Sequence, residues 1–580
     1  MLLAKLRDYS ERLEDLGPLG YAEAWVRYEV HLTGSGELVN PEPIDLADAK
    51  TKRGQRRQAP QVTRASGVKP LLLNDNAEYT FGLPRQEEDP DKQASRAERT
   101  AASHAAYMGL LGECAAATES PAVQAVLTFL RSAPLDQLRL PADYDVGGAI
   151  AFRVDGRLVT DLPSVRRFWA DWALGDESTG PAGDEMQCLI CGRRRPALRR
   201  LPGNIKGISG GQSSGMALIS ANAKAFESYG LENSQTSPVC LECADAFTKA
   251  INTLIRDDRR SYMLAGLAFL YWTREPVEFD LNAWFRDPDQ ADVGALLRAY
   301  RAGGPPSPVD ETAFYAVSLS ANAARVVVRD WIDTTVGDVK RGLACWFQRQ
   351  QIVDGYGQDA PPLGLYALAA ATVRDPSKDL PVTTPRTLLR AALTGQPLPN
   401  GLLHQAIRRN HAERDVTRPR AALIKLILLS QDDSYQEDDM VKLQPDHPEP
   451  GYHCGRLLAA LEQIQRAALG DINQTIVDRF YGTASTAPAS VFGRLLRGAQ
   501  PHLSKLERDA PGTAYALQRT LEDILGALDA FPRTLTLKEQ AFFALGYYHQ
   551  RAFNRAQAIA AAERRRDAKA AEQAAQAADV

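Results

Sequence analysis

The chain has 580 residues, 24% of them charged and 44% in the hydrophobic set, and its formal net charge is -4. This is ordinary soluble globular composition, long enough for about three to four domains. A free-standing nucleic-acid binder is often basic overall, so this balance excludes a uniformly basic surface and confines any nucleic-acid site to a local patch.

No window holds eighteen consecutive apolar residues, so neither a transmembrane helix nor a membrane partner is expected. The first residues, MLLAKLRDYSERLEDLG, lack the apolar run of a signal peptide, and a cytoplasmic location is expected. Residues 1–20 read as a helix with Leu2, Leu3, Leu6 and Leu13 on one side. YAEAWVRYEVHLTGSGELV reads as two strands around a turn at Gly34-Ser35-Gly36. The next stretch, ADAKTKRGQRRQAPQVTRASGVKP, carries Lys50, Lys52, Arg53, Arg56, Arg57, Arg64 and Lys69 between Gly and Pro breaks, and reads as a basic loop.

Helical periodicity runs over 95–132, and residues 147–162 alternate around Asp155-Gly156, a strong hairpin signal. Residues 164–176 read as a helix and 177–185 as a linker. Helical patterns dominate 244–437, interrupted by AFYAVSLSANAARVVVRDW, which reads as a strand followed by a helix. The acidic, proline-bearing stretch 430–452 reads as a linker. Four helical segments follow, over 453–469, 490–508, 513–530 and 536–575, with short joints that favour an antiparallel bundle.

The expected class is α+β. A mixed N-terminal body carries a Cys-rich, zinc-ribbon-like insertion, followed by a mostly helical middle and a C-terminal antiparallel helical bundle. The expected domains are 1–185 with the basic loop, 186–250 with the cysteine pairs and a Gly-rich loop, 251–435, an acidic linker at 436–452, and the bundle at 453–580.

Seven cysteines are present, and four form two C-x-x-C pairs: Cys188 with Cys191, and Cys240 with Cys243. In a reducing cytosol a disulfide framework is not expected. Four thiolates can instead hold one structural zinc ion, each pair closing a tight knuckle. The intervening 48 residues exceed the usual gap, so a whole loop would be clasped between the knuckles. Four thiolates leave no open coordination position, which argues against a catalytic metal.

The clasped segment is basic at its start, with Arg193, Arg194, Arg195, Arg199, Arg200 and Lys206, and no acidic residue occurs from Gly192 to Ser220. Gly210-Gly211-Gln212-Ser213-Ser214 follows. Glycines permit close backbone approach, and amide and hydroxyl donors can then reach phosphates or base edges. The alternative is a solvated surface loop. A second candidate is RASGVKPLLLNDNAEYTFGL, where Arg64 and Lys69 precede Asn74 and Asn76. Asn can read base edges by paired hydrogen bonds, or it can simply turn the chain.

Catalytic signatures are scarce. Histidines number eight, and neither H-E-x-x-H, G-x-S-x-G nor a Walker loop occurs. His411-Ala412-Glu413 is half of a deaminase motif without its P-C-x-x-C partner. No enzymatic activity is expected.

The strings GVKPLLLNDNAEYTFGL, IKGISGGQSSGMALISANAKAFESYG, FYAVSLSANAARVVVRDW and GRLLAALEQIQ, with ALGDINQTIVDRFYGTASTAPASVFGRLLRGAQPHLSKL, occur in this order. Together they resemble the large subunit of the type I-C CRISPR complex Cascade (subtype Dvulg family) over nearly the whole chain. The resemblance implies a crRNA-guided surveillance complex whose large subunit reads the PAM duplex of foreign DNA and helps open it, while the guide reads the sequence. It implies as partners crRNA, PAM-bearing double-stranded DNA, the backbone, crRNA-processing and small subunits, and a separately recruited nuclease-helicase. Phage anti-CRISPR proteins are a further implied class. In that family the C-terminal region can also be made as a separate small subunit from an internal start. Met440, the last methionine, precedes the bundle here.

The residues expected to meet DNA are Arg53, Arg56, Arg57, Arg64, Lys69, Asn74, Asn76, Arg193, Arg194, Arg199, Arg200, Lys206, Gly210, Gly211, Gln212, Ser213 and Ser214. Two other readings compete: a purely architectural subunit that binds crRNA and neighbours, and a metal-dependent nuclease.

Overall fold

A computed structural model describes residues 2–578, apart from 14–15, 48–51, 63–66, 176–180, 202–204, 213–214, 222, 278–279, 303–306, 433, 437–438 and 471. The fold is α+β, with a cysteine cluster and a helical C-terminal region. Contacts divide the chain into two units: Met1–Asp257 with Ala321–Val327, and Asp258–Ser320 with Val328–Val580.

In the first unit, Tyr28, Val30 and Leu32 alternate with Glu29 and His31, and this period of two builds a strand with one apolar face. Strand Tyr28–Leu32 runs parallel to Ile150–Val154, in register from Tyr28 opposite Ile150 to Leu32 opposite Val154. Parallel neighbours need a long crossover. Helices Pro90–Thr118 and Pro121–Arg131 lie in it, and Tyr107, Leu111 and Phe129 pack into the same core as Val30 and Phe152. The expected hairpin forms at Asp155-Gly156, both with positive φ, between Ile150–Val154 and Arg157–Leu158.

Three expectations for this unit need correction. The N-terminal helix is short, Leu2–Ser10. The turn at Gly34-Ser35-Gly36 forms, with the Thr33 amide donating to the Glu37 carbonyl at 2.9 Å and Leu32 bridging Leu38, but the strand expected before it is not continuous. Tyr21–Val26 and Tyr28–Leu32 break at Arg27 and join different sheets. The expected basic loop contains a strand, Gln55–Pro60, antiparallel to Tyr21–Val26, so Arg56 lies opposite Trp25. Its Gln and Arg side chains hide the strand from a hydropathy reading, because only Ala59 and Pro60 are buried.

A four-stranded sheet in the order Ser261–Leu264, Leu267–Thr273, Ala313–Asn322, Arg325–Thr335 belongs to the second unit except for Ala321–Val327, the tip of its last hairpin. All seven residues of Leu267–Thr273 are buried, so this strand reads as a continuous apolar run and not as an alternation. The segment expected to be a strand followed by a helix is two strands. Ala323, with a φ of +50°, turns the chain between them. The alanines suggest helix, but the run Val326-Val327-Val328 favours a strand.

Helices then continue from Val336–Gln350 to Arg418–Gln431, and among the described residues five, not four, follow the acidic stretch: Pro450–Leu469, Ile476–Thr486, Phe492–Asp509, Pro511–Gly526 and Leu537–Ala578. One hydrophobic core runs through this unit from Tyr262 to Tyr548. Residues read as linker take part in it: Met440 is fully buried, and His447 stacks on Tyr452 with ring centroids 4.3 Å apart. Their few anchors are diluted by charged neighbours in the sequence.

Candidate metal centre and basic surface

The cysteine module is a hairpin joined to a helix. Strands Pro181–Gln187 and Arg194–Leu198 pair antiparallel, and Cys188 and Cys191 occupy the turn between them. Gly192, with a φ of +70°, lets the turn close. The Gly192 amide donates to the Cys188 carbonyl at 2.9 Å, and the Ile190 amide donates to Cys188 Sγ at 3.4 Å. Cys240 caps the helix Leu241–Arg256, and Cys243 lies in its first turn. The Leu189 amide donates to the Pro238 carbonyl at 2.9 Å and the Leu198 amide to the Val239 carbonyl at 3.1 Å, which fixes the second pair against the first.

All four sulfur atoms lie within 4.8 Å of one another, and Cys191 Sγ is 3.9 Å from Cys240 Sγ. A tetrahedral zinc with Zn–S bonds of about 2.3 Å needs sulfur atoms about 3.8 Å apart, so this cluster is sized for one metal ion. Cys188, Cys240 and Cys243 are buried and Cys191 is half-buried. A hydrogen bond from Cys243 lowers the Cys240 thiol to about 5, and the same pairing pushes Cys243 up. Burial raises Cys191. The thiol that opens the helix Leu241–Arg256 is thus the one of the Cys240–Cys243 pair favoured to ionise. Two pairs far apart in sequence meet as one donor set, and none of the four is left over.

Arg193, Arg194, Arg195, Arg199 and Arg200 are all exposed on this hairpin and its exit. Arg194 donates to the Glu185 carbonyl at 2.9 Å. Beyond them, Ile205 and Met216 exchange two backbone hydrogen bonds of 2.9 Å and close the Gly-rich segment into a loop. Ile205, Ile208 and Met216 are its buried anchors. A Cβ on Gly211 would meet Met216 Sδ at 2.3 Å, so glycine here keeps an anchor seated. Lys206, Ser209, Gly210 and Gln212 are exposed. Ser213 and Ser214 lie outside the described residues.

The sequence reading missed the neighbour of this loop. The Ala217 amide donates to the Ala324 carbonyl at 2.9 Å, and the Val326 amide donates to the Ala217 carbonyl at 3.0 Å. The tip of a distant hairpin therefore adjoins the loop. It brings Arg325, whose guanidinium lies 4.7 Å from the Phe226 ring centroid. Nearby in sequence, Tyr229 is fully exposed with a φ of +54°. A bridge this long in sequence leaves no local pattern to read.

The N-terminal candidates fall on several elements of the first unit. Asn74 is buried in the strand Asn74–Asp75 that pairs with Ala151 and Ile150. The Asn76 side chain caps the helix Ala77–Thr80, accepting from the Tyr79 amide at 3.3 Å. The expectation that both Asn side chains face a base edge is therefore corrected: Asn74 is buried, and the Asn76 carboxamide oxygen is taken up by the cap. Arg57 is engaged with the buried Glu29, which also accepts from Arg153 at 2.9 Å and pairs with His31 at 3.0 Å. Burial opposes ionisation of Glu29, but the hydrogen bonds from Arg153 and His31 outweigh it and hold the carboxyl below its usual range. Arg56 lies over the Trp25 ring at 4.9 Å and pairs with Glu23 at 3.7 Å. Arg53 is exposed and Lys69 half-buried. Lys50 and Arg64 lie outside the described residues.

Among the described residues no helix is long and apolar enough to cross a membrane. A family model described as CRISPR-associated protein (Cas_Csd1) matches residues 6–554. No curated protein matches the chain.

Proposed function

The chain belongs to the Cas_Csd1 family of CRISPR-associated proteins, the large-subunit family of type I-C Cascade, and from that premise we propose that it reads the PAM duplex of foreign DNA. In this reading it is a cytoplasmic, non-catalytic subunit that works with crRNA and the other Cascade subunits. It helps open the duplex, supports the R-loop and offers a surface to the nuclease-helicase. Base pairing with the guide supplies the longer sequence specificity.

One observation carries the proposal. A run of exposed arginines and Lys206, without an acid from Gly192 to Ser220, leads into a closed loop whose exposed tip is Gly210 and Gln212. Arginines hold phosphates, and a glycine-rich tip can enter a groove or part a base step. The four cysteines would hold a structural zinc ion that fixes the hairpin carrying these arginines. The test replaces Arg193, Arg194, Arg199, Arg200 and Lys206 with Gln in the assembled complex. Binding to a PAM-bearing duplex should weaken, and its salt dependence should flatten by about one unit of slope per lost phosphate contact. An unaltered salt slope removes this surface from the DNA path.

The bundle adds a smaller proposal. A start near Met440 yields a fragment holding all five terminal helices, which would serve the complex as a separate small subunit. Intact-mass spectrometry of the purified complex should detect a fragment beginning near the acidic stretch. Its absence ends that reading.

A further inference from the structure

Arg418, Arg551 and Arg555 line one cavity of about 160 Å³ in the second unit, together with Asp415, Thr417 and Gly355. The three cations are not equally satisfied. Arg551 pairs with Asp415 at 2.6 Å and faces Glu462 at 3.7 Å. Arg418 has only a carbonyl, donating from Nη2 to Pro361 O at 2.5 Å, while its Nε is buried without a partner. Arg555 likewise donates to a carbonyl, Gly355 O, at 3.3 Å, and its guanidinium lies 5.9 Å from the Tyr356 ring centroid. Among the described residues, neither Arg418 nor Arg555 has a carboxylate within ion-pair distance.

A half-buried guanidinium without a counter-charge is costly, and such groups ordinarily find an anion. Burial pushes Arg418 below its usual value, and the acid and phenol nearest to it, Asp354 and Tyr548, offset this only in part. Thr417 and Arg418 also begin the helix Arg418–Gln431, so its positive end opens at the same cavity. Guanidinium forks match the tetrahedral oxygens of a phosphate better than any neutral ligand.

We propose that this cavity is a phosphate-binding site, in which Arg418 and Arg555 grip one phosphate group and Arg551, anchored by Asp415, orients it. The phosphate belongs either to a nucleic-acid backbone or to a free anion. The site shares no residue with the Gly-rich loop, and its failure would leave the duplex-reading proposal untouched.

The test uses the full chain and the variants R418Q and R555Q, with R418K as the charge-preserving control. Arg555 is exposed, so R555Q keeps the test valid if R418Q fails to fold. Melting is followed against inorganic phosphate, with chloride at matched ionic strength as reference, and anisotropy is followed with a labelled single-stranded oligonucleotide. The native chain should be stabilised by phosphate beyond chloride, and R418Q and R555Q should need about tenfold more phosphate. If oligonucleotide affinity also falls about tenfold, the phosphate is that of a nucleic-acid backbone. If only the phosphate response is lost, the ligand is a free anion. No phosphate-specific stabilisation of the native chain, or a response to phosphate in both Gln variants as strong as the native chain's, overturns the site.

Discussion

Gly455 lies against Phe543 so closely that a Cβ on Gly455 would sit 2.0 Å from the Phe543 carbonyl oxygen. A Cβ on Gly546 would likewise sit 2.0 Å from the Tyr452 carbonyl oxygen. Helices Pro450–Leu469 and Leu537–Ala578 therefore touch backbone to backbone. Gly455→Ala must push them apart and should cost about 1–3 kcal/mol, although alanine is the better helix former. A urea melt checks this, and an unchanged midpoint would contradict the close packing.

The cysteine cluster predicts a stoichiometry. The chain purified without chelator should carry one zinc per chain, and Cys240→Ser should lose it. The hairpin Pro181–Leu198 should then become protease-sensitive before the C-terminal helices do, because the metal ties it to the helix Leu241–Arg256. Metal analysis with limited proteolysis reads both effects. Full retention of zinc by the variant would rule out a four-thiolate site.

Acid should weaken the C-terminal unit. Burial lowers His549 to about 3 and His447 to about 4. His549 shares a hydrogen bond of 2.8 Å with the Tyr452 hydroxyl, and the positive charge of Lys425 further disfavours its protonation. Both histidines are held neutral when folded, whereas the unfolded chain takes up protons below about 6.5. Stability is therefore fully present above that pH and falls as the pH drops toward 4. Denaturant midpoints across this window should decline with acid, and Asn in place of His549 should flatten the decline. A pH-independent midpoint would mean that these rings are not held neutral.

Asn76→Ala should cost about 1 kcal/mol by removing a helix cap. It should leave the PAM preference of the complex as it was. Binding to duplexes with altered PAM checks this, and a lost preference would return Asn76 to the DNA surface.

Much of this architecture was legible in the sequence, and the gaps have physical causes. The two C-x-x-C pairs announced a four-thiolate cluster across 48 intervening residues, since tight knuckles leave a spacing mark. Asp155-Gly156 announced its hairpin because that turn needs positive φ at both positions. The strand Gln55–Pro60 was hidden by its charged side chains, and Leu267–Thr273 by burial on both faces, which erases the alternation. The arginine run and Gly-rich loop were visible as composition. Their closure by Ile205 and Met216, and the approach of Ala324 to Ala217, depend on long-range pairing that no window contains. Asn74 and Asn76 show the opposite limit. Residue type suited base reading, but position in the fold assigned them to a strand and a cap.

The central claim is that the loop closed by Ile205 and Met216 helps read the PAM. Its most direct test is equilibrium binding of the assembled complex to two guide-matched duplexes that differ only at the PAM, with the native chain and with a G210A/Q212A variant. Both substitutions lie at the exposed tip and spare the buried anchors. The native complex should prefer the PAM duplex by about tenfold or more, and the variant should lose most of that preference while still assembling on crRNA. A variant that assembles and keeps the full preference would contradict the claim.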